Sequence, residues 1–146
     1  MHTMRLRAAL VAVCLCLSAC TGGQLARWLP WYEADPAAAM TAALSYGEVK
    51  AAATDGHPCP EWYDEAIDAG FTPAQWEEPL SRIMNRESRC DPDAHNPSGA
   101  TGLVQIMPMW ADDCGGVPSD LYDPAFNLAC ALHVLDVSSW QAWTTL

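Results

Sequence analysis

From Pro60 onward the apolar positions recur at helical more than strand spacing, so the pattern predicts a mostly helical domain. Pro60 suits a first helical position, and a short helix is expected over residues 60–69 with Gly70 as its stop. Thr72-Pro73-Ala74-Gln75 reads as a capping box with proline just inside the helix. Pro79 interrupts that pattern and is expected to start the next helix, over residues 79–89. There Leu80, Ile83 and Met84 fall one turn apart and form a core stripe. A turn-rich stretch follows, with Asp91-Pro92, Asn96-Pro97-Ser98-Gly99 and Gly102. Residues 103–107 look like a short strand, with Leu103, Gln105 and Met107 on one face and Val104 and Ile106 on the other. Pro108 opens another helix through Trp110. Asp123-Pro124 caps a last long helix to about Val137, with Leu128, Leu132 and Leu135 on one face.

The pattern upstream is different. Arg5 and Arg7 form a short basic region, and residues 8–17 are an apolar run too short to span a bilayer as a mature helix. This reads as a secretory signal. It ends in Leu17-Ser18-Ala19-Cys20, which resembles the lipobox of bacterial lipoproteins. The resemblance implies cleavage before Cys20 and diacylglyceryl attachment to its sulfur. Residues 1–19 are then a signal peptide, 20–57 a lipidated cysteine and tether, and 58–146 the folded domain. Within the tether Gly22-Gly23 is flexible, and residues 36–53 are alanine-rich with some helical character but no strong amphipathic period. Trp28, Leu29, Trp31 and Tyr32 suit either a membrane interface or packing on the domain.

Composition narrows the functions. The 146 residues suffice for one domain after processing, and the net charge of −11 with only 7 Lys and Arg argues against nucleic acid. It also argues against a basic patch that holds the protein to anionic lipid. Of 7 cysteines, Cys14 and Cys16 leave with the signal and Cys20 is lipidated, so Cys59, Cys90, Cys114 and Cys130 remain. No C-x-x-C pair occurs, which disfavours zinc, and an exported domain permits disulfides. Of the three possible pairings, Cys59–Cys90 with Cys114–Cys130 is the local choice. A domain of roughly 90 residues has a small core, so two disulfides matter to it. His2, His57, His95 and His133 are scattered, and His95 reads as a surface-loop histidine. No metal or cofactor is expected, and the protein is expected to be a monomer.

Glu87 is the residue with chemistry in it. It extends the Leu80–Met84 stripe by one more turn, where the pattern asks for a hydrophobe. Arg82, Arg86 and Arg89 take the opposite, solvated face by the same spacing. A carboxyl among apolar groups and away from cations is costly to ionise, and a protonated carboxyl is what a general acid needs to protonate a glycosidic oxygen. The alternative is a helix-end glutamate that is simply exposed or bonded to backbone.

The run from Glu87-Ser88 through Ser98-Gly99-Ala100-Thr101-Gly102-Leu103-Val104-Gln105-Ile106-Met107-Pro108 resembles the lytic transglycosylase domain family of lysozyme-like fold. Asp123-Pro124 with Asn127 matches a further helix of that family. The resemblance implies a mainly α (α+β lysozyme-like) fold, a small helical domain with a short β element. It also implies Glu87 as the single catalytic acid/base, with Ser98, Gln105 and Met107 lining a sugar-binding cleft. A glutamine among apolar neighbours needs partners, which sugar hydroxyls, an N-acetyl group or nearby backbone could supply.

Glycosidases usually use two carboxyls. Asp91 and Asp93 are the nearest, beside prolines in a turn, and read as solvated loop acids. The family's implied route needs no second carboxylate, because the substrate's N-acetyl group assists. Many members carry Tyr-Asn-Ala-Gly after the last matching helix. Here Trp140-Gln141-Ala142-Trp143-Thr144-Thr145-Leu146 follows it and Tyr122 does not match, so the cleft is expected to be shorter or completed by Trp140 and Trp143. The leading expectation is an envelope lytic transglycosylase acting on peptidoglycan glycan strands. A lysozyme-like hydrolase and a non-catalytic wall-binding lipoprotein are the alternatives.

Overall fold

The computed structural model describes residues 34–143. The signal sequence, Cys20, the cluster Trp28, Leu29, Trp31 and Tyr32, and residues 144–146 lie outside the described residues. The chain divides into two compact units, Met1–Glu48 and Val49–Leu146. The described part of the first is the leading portion of α1, which spans Pro36–Thr54. Asp35 starts α1, its carboxylate accepting from the backbone N–H groups of Ala37 and Ala38 at 3.1 and 3.0 Å. Alanine, the best helix former, sustains it without a distinct apolar face.

In the second unit the last turn of α1 is tied to α2 (Tyr63–Ala69) by an ion pair between Lys50 and the buried Asp64, N–O 2.5 Å. A single 3-10 turn, Pro60–Trp62, leads into α2. Gly70 ends α2 in the left-handed region, φ 112°, as expected. The Phe71 N–H reaches back to the Ala66 carbonyl and the Gly70 N–H to that of Ile67, closing the helix end. A Cβ on Gly70 would lie 2.9 Å from Leu132, so this glycine also allows α2 to approach the last helix.

The capping box is present: Thr72 Oγ1 accepts from the Gln75 N–H at 3.2 Å, and Gln75 Oε1 accepts from the Thr72 N–H at 2.9 Å. The helix bearing Glu87, α3, covers Ser81–Ser88, two residues later than the sequence pattern places its start. Glu78 is extended (φ −152°, ψ 113°) before a cis Pro79. A residue before proline is sterically pushed out of the helical region, so a regular helix resumes only at Ser81.

A short β element follows, made of two isolated antiparallel bridges that share Thr101, one to His95 and one to Ile106. The strand expected over residues 103–107 does not form. That segment is a run of turns in which Gln105 takes a left-handed φ of 53°, and Leu103 and Val104 are both buried instead of facing opposite sides. A 3-10 turn covers Pro108–Trp110, and another covers Pro118–Tyr122. The long helix α4 spans Pro124–Ser138, and Asp123 caps it by accepting from the Phe126 N–H at 2.9 Å.

The core joins Tyr63, Trp76, Leu80, Met84, Leu103, Leu121 and Leu128. Tyr63 meets Trp76 edge to face, ring centroids 5.4 Å apart, a favoured aromatic geometry. Both disulfides take the local pairing: Cys59–Cys90 and Cys114–Cys130. No described helix is long and apolar enough to cross a membrane.

Candidate active site

The apolar face of α3 fixes Glu87. Leu80, Ile83 and Met84 are buried, and the Ser88 hydroxyl donates to the Met84 carbonyl at 3.0 Å. Immediately past the helix, Arg89 and Cys90 both adopt left-handed backbone, φ 57° and 68°. Few non-glycine residues adopt this conformation, and here it is held on two sides. Cys90 is bonded to Cys59, and the Trp62 indole N–H donates to the Cys90 carbonyl at 2.9 Å. The chain therefore turns sharply just beyond Glu87 and into the loop that carries the other candidate residues.

The Glu87 side chain is only 9% exposed, as the stripe predicts. The expectation that all three arginines point away from it is corrected. Arg82 pairs with Glu78 at the surface, N–O 3.1 Å. Arg86, however, donates to Glu87 Oε1 from Nε at 3.1 Å and from its terminal nitrogen at 2.9 Å. The same terminal nitrogen also donates to the Trp143 carbonyl. Helical spacing separates the Cβ atoms of neighbouring residues by about 100°, but an arginine is long enough to fold back over a helix end when acceptors wait there.

The loop after the turn is built around Asn127 and Gly102. Asn127, fully buried on α4, donates from Nδ2 to the carbonyls of Thr101 and Leu121, both at 2.9 Å, and accepts from the Val104 N–H at 3.1 Å. A Cβ on Gly102 would lie 2.3 Å from that Nδ2 and 2.4 Å from the Leu121 carbonyl oxygen. These long-range bonds override the local alternation that suggested a strand.

Ser98 and Met107 come together at the loop surface, with Ser98 Oγ 3.9 Å from Met107 Sδ. Asn96 orients Ser98, its Oδ1 accepting from the Ser98 N–H at 2.9 Å and from the hydroxyl at 2.5 Å. Gln105 gives both amide protons to backbone, to the carbonyls of Ala94 and Gly102, each at 3.0 Å. Backbone therefore supplies the partners of its amide nitrogen. Asp91 and Asp93 are exposed, and Asp91 accepts from the Asp93 N–H at 2.9 Å, a self-contained turn. His95 Nδ1 lies 3.1 Å from Thr101 Oγ1, whose hydroxyl donates to the Gly99 carbonyl.

Trp143 connects the two halves. Its indole N–H donates to the Val104 carbonyl at 2.8 Å, beside Gln105, while its own carbonyl receives Arg86. Trp140 lies against it, with ring centroids 5.9 Å apart. The sequence pattern announces neither the contact of Arg86 with Glu87 nor the structural role of Asn127. The Asp-Pro-x-x-Asn spacing did mark Asn127, whereas nothing local marks Arg86. Among the described residues no group of His, Cys, Asp and Glu is arranged to hold a metal ion.

Comparison with known proteins agrees with this architecture. No curated protein and no solved structure gives a match. The family described as Transglycosylase SLT domain matches residues 66–141, which takes in α3, the Asn127-centred loop and α4. The match spans more than half of the chain and includes Glu87, Ser98, Gln105 and Met107, so the protein belongs to the transglycosylase SLT domain family, whose members act on peptidoglycan.

Proposed function

We propose that this protein is an envelope-anchored peptidoglycan lytic transglycosylase in which Glu87 is the only acid/base. The observation that carries the reading is a nearly enclosed carboxyl at the end of α3, in a chain of this family. Glu87 protonates the oxygen of a β-1,4 bond between N-acetylmuramic acid and N-acetylglucosamine, and the bond from that oxygen to the anomeric carbon breaks. The substrate's acetamido oxygen supports the anomeric carbon. Glu87, now ionised, takes the proton of the muramyl 6-hydroxyl as that oxygen bonds to the anomeric carbon, which closes a 1,6-anhydro ring. One group gives and regains one proton, so no second carboxylate is needed. The exposed, self-paired Asp91 and Asp93 suit this arrangement better than a two-carboxylate hydrolysis.

Ser98 and Met107 supply a polar and an apolar contact for the sugar. Gln105 has spent its donors on the loop, so what it offers the sugar is its carbonyl oxygen, an acceptor for a hydroxyl or an acetamido N–H. The lipobox-like Leu17-Ser18-Ala19-Cys20 supports membrane anchoring through Cys20, with the tether holding the domain toward the wall. Digestion of purified peptidoglycan by oxidised protein beginning after Cys20, with products read by mass spectrometry, tests the chemistry. Anhydro-muropeptides are expected. Reducing-end products would move the reaction to hydrolysis, and retention on the wall without products would make the protein a binding module.

A further inference from the structure

The Arg86 guanidinium does two things at once. It donates twice to Glu87 Oε1, and it donates to the main-chain carbonyl of Trp143. Trp143 is itself fixed, buried and bonded through its indole to Val104. Arg86 is thus held by a post outside its own helix, and it holds one oxygen of the carboxyl and not the other.

We propose that Arg86 is the positioning residue for Glu87, assigning Oε2 as the oxygen that carries the proton. The proposal rests on Glu87 being the acid of the reaction. When Glu87 is in its acid form, the oxygen that accepts two N–H bonds from the guanidinium is the carbonyl-like one. The proton of that form is then carried by Oε2, the oxygen that would meet the glycosidic oxygen. A guanidinium is always charged and presents its donors in a rigid planar fork, so it fixes both the rotation and the identity of the working oxygen. After proton transfer the same contacts steady the carboxylate until it collects the 6-hydroxyl proton. Trp143 acts by keeping Arg86 in place, and the turn after α4 becomes a support of the acid without touching substrate.

The experiment measures peptidoglycan turnover, kcat and KM separately, for wild type, Arg86→Ala and Arg86→Lys, with melting temperatures and with added millimolar guanidinium ion. Arg86→Ala is expected to lower kcat about 100-fold, as misplacement of a reacting group does, with KM changed less than about twofold. Guanidinium ion is expected to restore part of the lost kcat. Arg86→Lys keeps the charge without the fork and is expected to fold and to lose about tenfold in kcat. If Arg86→Ala does not fold, Arg86→Lys decides. Wild-type kcat in either folded variant would overturn the proposal. A fall in kcat matched by a fall in melting temperature, unrestored by guanidinium, would also overturn it and leave Arg86 structural. Wild-type protein that yields no cleavage products would overturn the functional reading and this proposal together, whereas an active wild type with an indifferent Arg86 removes the proposal alone.

Discussion

Asn127 and Gly102 occupy a single space. The amide nitrogen of Asn127 stands 2.3 Å from where a Cβ of Gly102 would be, and Gly102 itself is left-handed, φ 80°. The loop that carries Ser98, Gln105 and Met107 can reach α4 only because position 102 has no side chain.

Gly102→Ala should therefore destabilise the protein by at least about 3 kcal/mol, combining left-handed strain with a clash against buried backbone and amide atoms. Urea unfolding of the oxidised protein measures it. A loss below 1 kcal/mol, on the order of an ordinary surface change, would mean that the loop docks differently.

Asn127→Ala removes three hydrogen bonds at once and takes from the buried Val104 N–H and the Leu121 carbonyl the partner they have, whereas the Thr101 carbonyl keeps the Ile106 N–H at 3.0 Å. Each of these two orphaned groups costs about 1–3 kcal/mol, so a loss of at least about 2 kcal/mol is expected in the same assay. Asn127→Asp keeps the acceptor for Val104 but turns both donors into acceptors facing carbonyls, and it should rescue little.

These two residues also show why the sequence is legible in some places and not in others. Helix ends are set by neighbours in the chain: Thr72 with Gln75, Asp123 with Phe126, and Gly70 at the end of α2. Each can be read locally, and each is where the pattern put it. The segment 103–107 alternates like a strand, but its conformation is decided by Asn127, 23 residues beyond Val104. The bond from Arg86 to Trp143 crosses 57 residues, and helical spacing alone turned Arg86 away from Glu87. Local pairing likewise anticipated both disulfides, because each closes a short loop, of 31 and 16 residues.

The two disulfides should differ in what they do. Paired serine substitutions at Cys59 and Cys90 or at Cys114 and Cys130 should each cost about 3–4 kcal/mol by releasing the unfolded chain. Only the first pair adjoins the left-handed Arg89-Cys90 turn behind Glu87, so only that variant should lose about tenfold or more in kcat at a temperature where both remain folded. Equal effects on kcat would separate the turn from the acid.

Stability should fall in alkali through Tyr63. Burial holds its hydroxyl above the usual value of 10.0, and the charges of Asp64 and Glu77 push the same way. Above that value the unfolded chain has released a proton that the folded chain keeps. The unfolded state then binds fewer protons, and the unfolding free energy drops as pH rises. From about pH 10 upward, denaturant midpoints should decline more gently in Tyr63→Phe than in the wild type. Parallel declines would place the effect elsewhere.

Glu87 is the claim on which the rest depends. The decisive measurement compares wild type with Glu87→Gln on purified peptidoglycan, with products identified by mass spectrometry and melting temperatures taken in parallel. The account predicts anhydro-muropeptides from the wild type, a loss of at least about 1000-fold in Glu87→Gln, and a melting temperature no lower in the variant. Glutamine can still accept from Arg86, so the fold keeps that contact while the proton transfer is gone. A Glu87→Gln protein that cleaves like the wild type, or that melts well below it, would contradict the account and make Glu87 a structural residue.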